Sequence, residues 1–288
     1  MSVTVSEALQ RASLQFREVG LGEPRREAEA LLCAALRKPL AWVYAHGEAT
    51  LDPGAAALFA AWVERRRQRE PYAYLTGERE FMGLGFTVTP AVLIPRPETE
   101  VLVSVTARAL QDHPSPHILE VGTGSGAVAC ALAHTLPRAT VYAVDISREA
   151  LAVAARNACR HGVGERVRFL PGDLYAPVAG KTFAAVVSNP PYVPTEEIRS
   201  LEPDVRDYEP WQALDGGPDG LHFYRRLTAE LSQLGSNPPL LCLEVGWGQA
   251  EAVAALCRAC GFARIKVHPD LAGIPRVVIA RQDCPPDG

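Results

Sequence analysis

No apolar run in the 288 residues approaches the roughly 18 that a membrane-crossing helix requires. The N-terminal stretch interleaves Glu7, Arg11, Arg17 and Glu18 with apolar side chains, so it holds no signal-peptide core, and the cytoplasm is the expected compartment. A disulfide framework is missing too. Seven cysteines, an odd number, are scattered at Cys33, Cys130, Cys159, Cys242, Cys257, Cys260 and Cys284, and free thiols fit a reducing compartment. Cys257 and Cys260 have the spacing of half a metal site, but no second pair or nearby histidine completes four ligands, so no metal is expected. Basic charge is not in excess: the net charge is −4, and residues 1–80 carry eleven basic and eleven acidic side chains, so the remainder holds all of it. Duplex nucleic acid would usually demand a basic surface, which argues against it as substrate. Internal repeats and low-complexity tracts are absent, and the tail from Cys284 to Gly288 is expected to fray.

What is present favours two domains, with 48% hydrophobic residues to fill their cores. Residues 1–73 read as a small helical bundle. Thr4-Val5-Ser6-Glu7 fits a capping box, with Leu9, Ala12, Phe16 and Val19 following at helical spacing. Pro24 suits a first helical turn ahead of Ala28, Leu31, Leu32, Ala35 and Leu36, and Asp52-Pro53 opens a helix expected to face inward through Leu58, Ala61 and Trp62. Arg65, Arg66, Arg67 and Arg69 near its end complement the helix dipole or form a docking patch. Residues 74–95 read as an extended linker with a hairpin around Gly83 and Gly85. Arg96-Pro97-Glu98-Thr99-Glu100 then opens a helix that starts the main domain, 96–288, and either simply begins it or closes over a ligand.

Within that domain strands and helices alternate, which predicts a doubly wound α/β sheet. His117–Val121 reads as a strand running into Gly122-Thr123-Gly124-Ser125-Gly126, glycines that let the backbone turn sharply beside a ligand. Alone this turn also satisfies a dinucleotide pattern and would suit a dehydrogenase. The next strand ends at Asp145, a carboxylate placed to accept both ribose hydroxyls of a nucleoside or else to cap the following helix. Asp173, after another short strand, suits the N6 amine of an adenine ring.

The apolar run Phe183–Ser188 then delivers Asn189-Pro190-Pro191-Tyr192 to the edge where ligands bind in open sheets. An amide or exocyclic amine is a poor nucleophile because its lone pair is delocalised. Asn189 offers a side-chain carbonyl, and Pro191 holds Pro190 extended so that its backbone carbonyl has a restrained direction. Two acceptors can grip both N–H bonds of one NH₂ group and present its nitrogen to an electrophilic methyl about 3–3.5 Å away. Tyr192 would supply a flat face against the planar group. The same four residues, taken alone, also suit a plain turn.

In these motifs the chain resembles the release-factor glutamine N5-methyltransferases, the HemK/PrmC family of class I S-adenosylmethionine-dependent enzymes. Further segments carry the likeness: Leu93–Glu100, Asp145–Leu151, Asp204–Pro210, Ala213–Gly217 and Leu243–Gly246 before Gln249. The resemblance implies a Rossmann-like sheet with an antiparallel C-terminal hairpin strand. It implies S-adenosylmethionine held by Gly122 to Gly126, Asp145, Asp173 and Asn189, with Leu174 making apolar contact beside the adenine, and S-adenosylhomocysteine as product. Asn189, Pro190, Pro191 and Tyr192 would bind the glutamine of the Gly-Gly-Gln loop of peptide-chain release factors, in a 1:1 complex with a monomeric enzyme. Adenine-N6 methyltransferases share the Asn-Pro-Pro-Tyr tetrad and are the alternative; a non-catalytic cofactor-binding module is a third.

Overall fold

The computed structural model describes residues 3–282; Cys284 and the expected frayed tail lie outside them. The helices are α1 (Val5–Glu18), α2 (Pro24–Leu36), α3 (Leu40–Ala45), α4 (Pro53–Arg67), α5 (Tyr72–Thr76), α6 (Glu100–Leu110), α7 (Ala127–Thr135), α8 (Arg148–Arg160), α9 (Pro203–Arg206), α10 (His222–Ala229) and α11 (Ala250–Ala259). The strands are β1 (Glu78–Phe81), β2 (Leu84–Thr87), β3 (His117–Val121), β4 (Thr140–Asp145), β5 (Val167–Pro171), β6 (Ala185–Ser188), β7 (Leu240–Glu244), β8 (Arg264–Pro269) and β9 (Pro275–Arg281). None of the described helices is long and apolar enough to cross a membrane.

The chain forms two compact units: one runs to Gly77 and includes Pro203–Tyr208, and the other takes Glu78–Glu202 with Glu209 onward. In the first, Thr4 caps α1 with the reciprocal Glu7 bond, and Asp52 caps α4 by accepting from the Ala55 N–H. The inward face of α4 differs in part from the expected one. Phe59, Val63 and Arg66 are buried and Trp62 packs half-buried against the same core as expected, while Leu58 is 42% exposed and Ala61 faces solvent. Phe59 and Val63 are one turn apart and bring an aromatic ring to the core, so they outcompete the neighbouring stripe.

Arg66 shows what the arginine cluster does. Its guanidinium reaches Glu27 and Asp204, and Arg69 also meets Asp204. Arg65 pairs with Glu70 and Arg67 with Glu64. The cluster is thus neutralised inside its own unit, with α9 supplying Asp204. The extended reading also fails at its start, because Tyr72–Thr76 is a helical turn with Ala73, Tyr74 and Leu75 buried.

The second unit is built on a seven-stranded sheet in the order β5-β4-β3-β6-β7-β9-β8. All neighbours from β5 to β7 are parallel; β9 lies antiparallel between β7 and β8. This is the doubly wound sheet with one reversed strand that the resemblance implied. Side chains alternate across it. Ile118, Val187, Cys242 and Ile279 face α6 and α7, whereas Leu119, Val186, Leu243 and Val278 face α10 and α11. Burial of each large aliphatic side chain contributes about 1.5–3 kcal/mol. By the same alternation Glu120 on β3 and Glu244 on β7 fall on the α6 and α7 face, where an apolar residue would be expected. Both are almost wholly buried.

Candidate active site

A cavity of about 470 Å³ opens at the C-terminal ends of β3, β4, β5 and β6, within the range of small-molecule sites. Its lining includes Gly122, Gly124, Asp145, Asp173, Leu174, Asn189, Pro190 and Pro191. Four strand ends, separated in sequence, therefore meet around one space.

The glycine-turn wall is made of backbone. The N–H groups of Gly122 and Thr123 both donate to the Val144 carbonyl, tying the turn to β4. Asp145 completes it: Oδ2 accepts from the Gly124 N–H at 2.8 Å and Oδ1 from the Ser147 N–H at 2.9 Å. Ser147, not Asp145, caps α8, through a bond from the Ala150 N–H. Each Asp145 oxygen keeps a lone pair for a ligand. Burial pushes this carboxyl up, and the N–H bonds from Ser147, Gly124 and Ile146 oppose the shift. Gly126 adopts φ +78°, and a Cβ there would lie 2.8 Å from Ala154 Cβ, so no larger residue fits where α7 meets α8.

Thr123, Ser125 and Gly126 sit behind this wall and do not line the cavity. The Thr123 hydroxyl donates to Glu120 at 2.6 Å, and the Ser125 carbonyl accepts from Asn157. Glu120 thus braces the turn from below. Burial raises its carboxyl to about 8 despite the Thr123 bond, and the nearby Asp145 charge adds to the rise. Asp173 reaches the cavity, but both its oxygens are engaged by the Arg226 guanidinium. Leu174 is 5% exposed and holds φ +46°, a conformation a non-glycine residue adopts only when its surroundings enforce it.

The opposite wall is held by side chains from distant segments. Asn189 Nδ2 donates to Thr99 Oγ1 at 3.2 Å, which leaves Asn189 Oδ1 as a carbonyl without a donor among the described residues. Gln249 Nε2 donates to the Tyr192 carbonyl at 2.8 Å, while its Oε1 accepts from the Gly246 N–H. At Gly220 a Cβ would approach the Tyr192 carbonyl to 2.4 Å, so the chain can pass there only as glycine. Asp215 knits the following loop, accepting from Thr195 Oγ1, the Gly217 N–H and Trp211 Nε1. Glu209 accepts from the Ile94 N–H and from Arg96, which anchors the segment leading into α6. That segment is a short 3₁₀ turn, Pro97–Thr99, before the helix proper.

Tyr192 departs from the sequence expectation. It does not line the cavity; its ring packs beside Gly246 against the core on the α10 and α11 face of the sheet, and burial, with the Glu244 charge, raises its hydroxyl to about 12. Flat and apolar surface reaches the cavity instead from Trp211, Phe223 and Leu227. Sequence reasoning missed these, along with Thr99 and the buried Glu120 and Glu244. The signal for the two acids was available, since each interrupts an otherwise apolar strand. Among the described residues, no group of three or more His, Cys, Asp or Glu could hold a metal ion.

The chain's relatives agree with this architecture. Residues 7–77 match the family described as the PrmC N-terminal domain, and residues 98–201 match the methyltransferase small domain. Among solved structures, a methyltransferase from Pyrococcus furiosus superposes with a TM-score of 0.52 at 20% identity, covering 77% of this chain and 100% of its own. The N-terminal domain of human METTL16 in complex with SAH gives 0.51 at 14% identity, covering 69% of this chain and 76% of that one. These likenesses establish the class I methyltransferase fold alone. A release factor glutamine methyltransferase of Geobacter sulfurreducens is 42% identical over 281 residues, 96% of either chain. The enzyme of the same name from Moorella thermoacetica is 46% identical over 279 residues, 96% of this chain and 98% of its own. Such identity, sustained from the helical unit through the sheet, means that the chain belongs to the release factor glutamine methyltransferases.

Proposed function

We propose that this enzyme transfers a methyl group from S-adenosylmethionine to the side-chain amide nitrogen, N5, of the glutamine in the Gly-Gly-Gln loop of a peptide-chain release factor. The observation that carries the reading is the Asn189 carboxamide, tied through Nδ2 to Thr99 so that Oδ1 remains an acceptor at the cavity. The cavity also suits the donor. Glycine backbone at Gly122 and Gly124 permits close approach, Asp145 offers acceptor oxygens for ribose hydroxyls, and Leu174, Phe223 and Leu227 offer apolar cover for a base. Asp173 is the weakest member, since Arg226 competes for its oxygens.

When bound, S-adenosylmethionine supplies a methyl group made electrophilic by the adjacent sulfonium. The chain's own work is orientation. Asn189 Oδ1 and the Pro190 carbonyl accept the two N–H bonds of the substrate amide, which stops rotation and aims the nitrogen lone pair. Their dipoles are already directed at the hydrogens as positive charge grows on nitrogen, so they stabilise the transition state without reorganising. No strong general base is needed. Gln249 holds the Tyr192 carbonyl and so fixes the exit of the same tetrad. The helical unit, expected over residues 1–73, is proposed to recognise the substrate protein, and the enzyme to act as a monomer in the cytoplasm.

An adenine-N6 activity on nucleic acid is not favoured. Relatives over the full length carry the release-factor name, and the net charge of −4 supplies no broad basic surface. The test is methyl transfer from labelled donor to a purified release factor, beside a variant factor whose Gly-Gly-Gln glutamine is replaced. Label in the first and none in the second is expected; equal label in both, or label only in added DNA or RNA, refutes the assignment.

A further inference from the structure

One buried ionisable group has no part in the chemistry above. Glu244 closes β7 with 1% of its surface exposed, and neither carboxylate oxygen has a hydrogen-bond partner of good geometry. A carboxylate buried without donors costs several kcal/mol unless something nearby answers it. The side-chain donor that most favours its charged form is the Thr99 hydroxyl. That hydroxyl also accepts from Asn189 Nδ2. Thr99 is itself 5% exposed, so water does not compete freely for it.

A hydroxyl has a single proton and two lone pairs. While Thr99 Oγ1 accepts from Asn189, its proton must be directed elsewhere, and Glu244 is the unsatisfied acceptor beside it. We infer that Glu244 is a positioning residue: as a carboxylate it takes the Thr99 proton, which turns the Thr99 lone pair to Asn189 Nδ2 and keeps Asn189 Oδ1 facing the substrate amide. The inference rests on the glutamine-methylation reading of the site.

The converse state explains why ionisation matters. A protonated Glu244 can donate to Thr99 Oγ1, and the Thr99 proton is then free to point at Asn189. The Asn189 amide, whose oxygen and nitrogen are nearly alike in shape, would turn to accept that proton and present NH₂ to the substrate. Two NH₂ groups would then face each other, and the grip on the substrate amide would be lost.

Burial pushes the Glu244 carboxyl up to about 7, with Thr99, Arg276 and Arg96 favouring the charged form and Glu98 opposing it. The groups that face it come from every element around it. Thr99 and Glu98 belong to the 3₁₀ turn and Arg96 precedes it, Arg276 belongs to β9 and Tyr192 to the loop after β6. Tyr224 on α10 donates its hydroxyl to the Glu244 backbone carbonyl. Activity should therefore be full above about pH 7 and fall on the acid side with the uptake of one proton. Glu120 titrates in the same region from the other wall, so the variant must separate the two.

The experiment measures kcat and KM for release-factor methylation from about pH 5 to about pH 8, in wild type, Glu244→Gln, Thr99→Val and Thr99→Ser. Expected are a one-proton acid limb in wild type and in Thr99→Ser, and its loss in Glu244→Gln and Thr99→Val. In those two variants kcat at neutral pH should fall about tenfold while KM for the methyl donor changes little. An unchanged acid limb or wild-type kcat in Glu244→Gln overturns the inference, and if that variant does not fold, the same outcome in Thr99→Val does so. A second readout needs no turnover. The Asn189 side-chain NH₂ resonances of the full chain, identified by their loss in Asn189→Ala, should shift with a midpoint near pH 7 in wild type and not in Glu244→Gln. Absence of release-factor methylation in wild type at every pH would strike the substrate assignment, while the resonances would still decide the role of Glu244; identical titration in both proteins overturns it.

Discussion

The two walls of the cavity reach the same end by opposite routes. On the glycine-turn side, the turn is held by backbone groups and by acids close in sequence: Glu120 bonds Thr123 three residues on, and Asp145 bonds Gly124 across 21 residues. On the Asn189 side, the bonds that hold Asn189, Tyr192 and the segment before α6 come from far along the chain. Thr99 and Asn189 are 90 residues apart, Gln249 and Tyr192 57, and Glu209 and Ile94 115. The first wall is proposed to bind through a main-chain shape that many ligands with a ribose could use. The second is proposed to orient one NH₂ group, a task that tolerates less error, and it is buttressed by side chains whose own partners are fixed. Each wall also has a buried acid beneath it, Glu120 and Glu244, on the same face of the sheet. The difference lies in what those acids brace: Glu120 meets a wall residue's neighbour directly, whereas Glu244 is inferred to act on Asn189 through Thr99.

Variants on the two walls should separate binding from turnover. The largest effect is expected for Asn189→Ala, which removes one of the two proposed acceptors for the substrate amide. Turnover should fall by at least about 10²–10³-fold, with donor affinity measured by calorimetry and the melting temperature little changed. Substantial turnover by a folded Asn189→Ala protein would erase the distinction between the walls. Next comes Gln249→Ala, which frees the Tyr192 carbonyl and the Gly246 N–H. It should cost about 1–3 kcal/mol in denaturant unfolding and lower kcat more than it raises KM for the donor.

Gly126→Ala tests the other wall. The strain of φ +78° and the clash with Ala154 should together cost about 1–3 kcal/mol and weaken donor binding. In contrast to Asn189→Ala, donor at saturating concentration should restore much of the rate.

The last effect is a pH dependence of stability. Because Glu120 has a folded-state value near 8, above its ordinary 4.5, the folded protein holds a proton that the unfolded chain releases. Its contribution to stability is therefore present at acid pH and lost as pH rises from about 4.5 to about 8, with an upper bound of about 1.4 kcal/mol per unit. Glu120→Gln should flatten this slope in melting curves recorded at several pH values. A slope unchanged from wild type would show that Glu120 is ionised throughout.

How much of this was legible in the sequence follows the same division. The glycine turn, Asp145 and the strand that delivers Asn189 could be read because each is a local pattern: apolar run, then glycine or acid or proline. The capping box at Thr4 and the Asp52 cap were legible for the same reason. Thr99 gave no signal, since a threonine ahead of a helix reads as a capping residue and its partner is 90 positions away. Tyr192 was read as a cavity face because it follows Asn189 closely, yet β6 ends at Ser188 and the ring four residues on packs into the core beside Gly246. The Leu58 stripe on α4 failed because two adjacent apolar faces were available and only packing chose Phe59 and Val63. Segments such as Asp204–Pro210 and Ala213–Gly217 were recognisable by resemblance, but their purpose lay in three dimensions. Asp204 neutralises Arg66 and Arg69, Glu209 anchors Ile94 and Arg96, and Asp215 ties the loop after Tyr192.

The central claim is that oxygen acceptors at the end of β6 select a carboxamide nitrogen for methylation. Its most direct test is tandem mass spectrometry of a release factor after incubation with wild-type enzyme and S-adenosylmethionine. The account predicts one added methyl, located on the side-chain amide of the Gly-Gly-Gln glutamine and absent with Asn189→Ala. A methyl on any other residue, or an unmodified glutamine after prolonged exposure to folded enzyme that binds the donor, would contradict it.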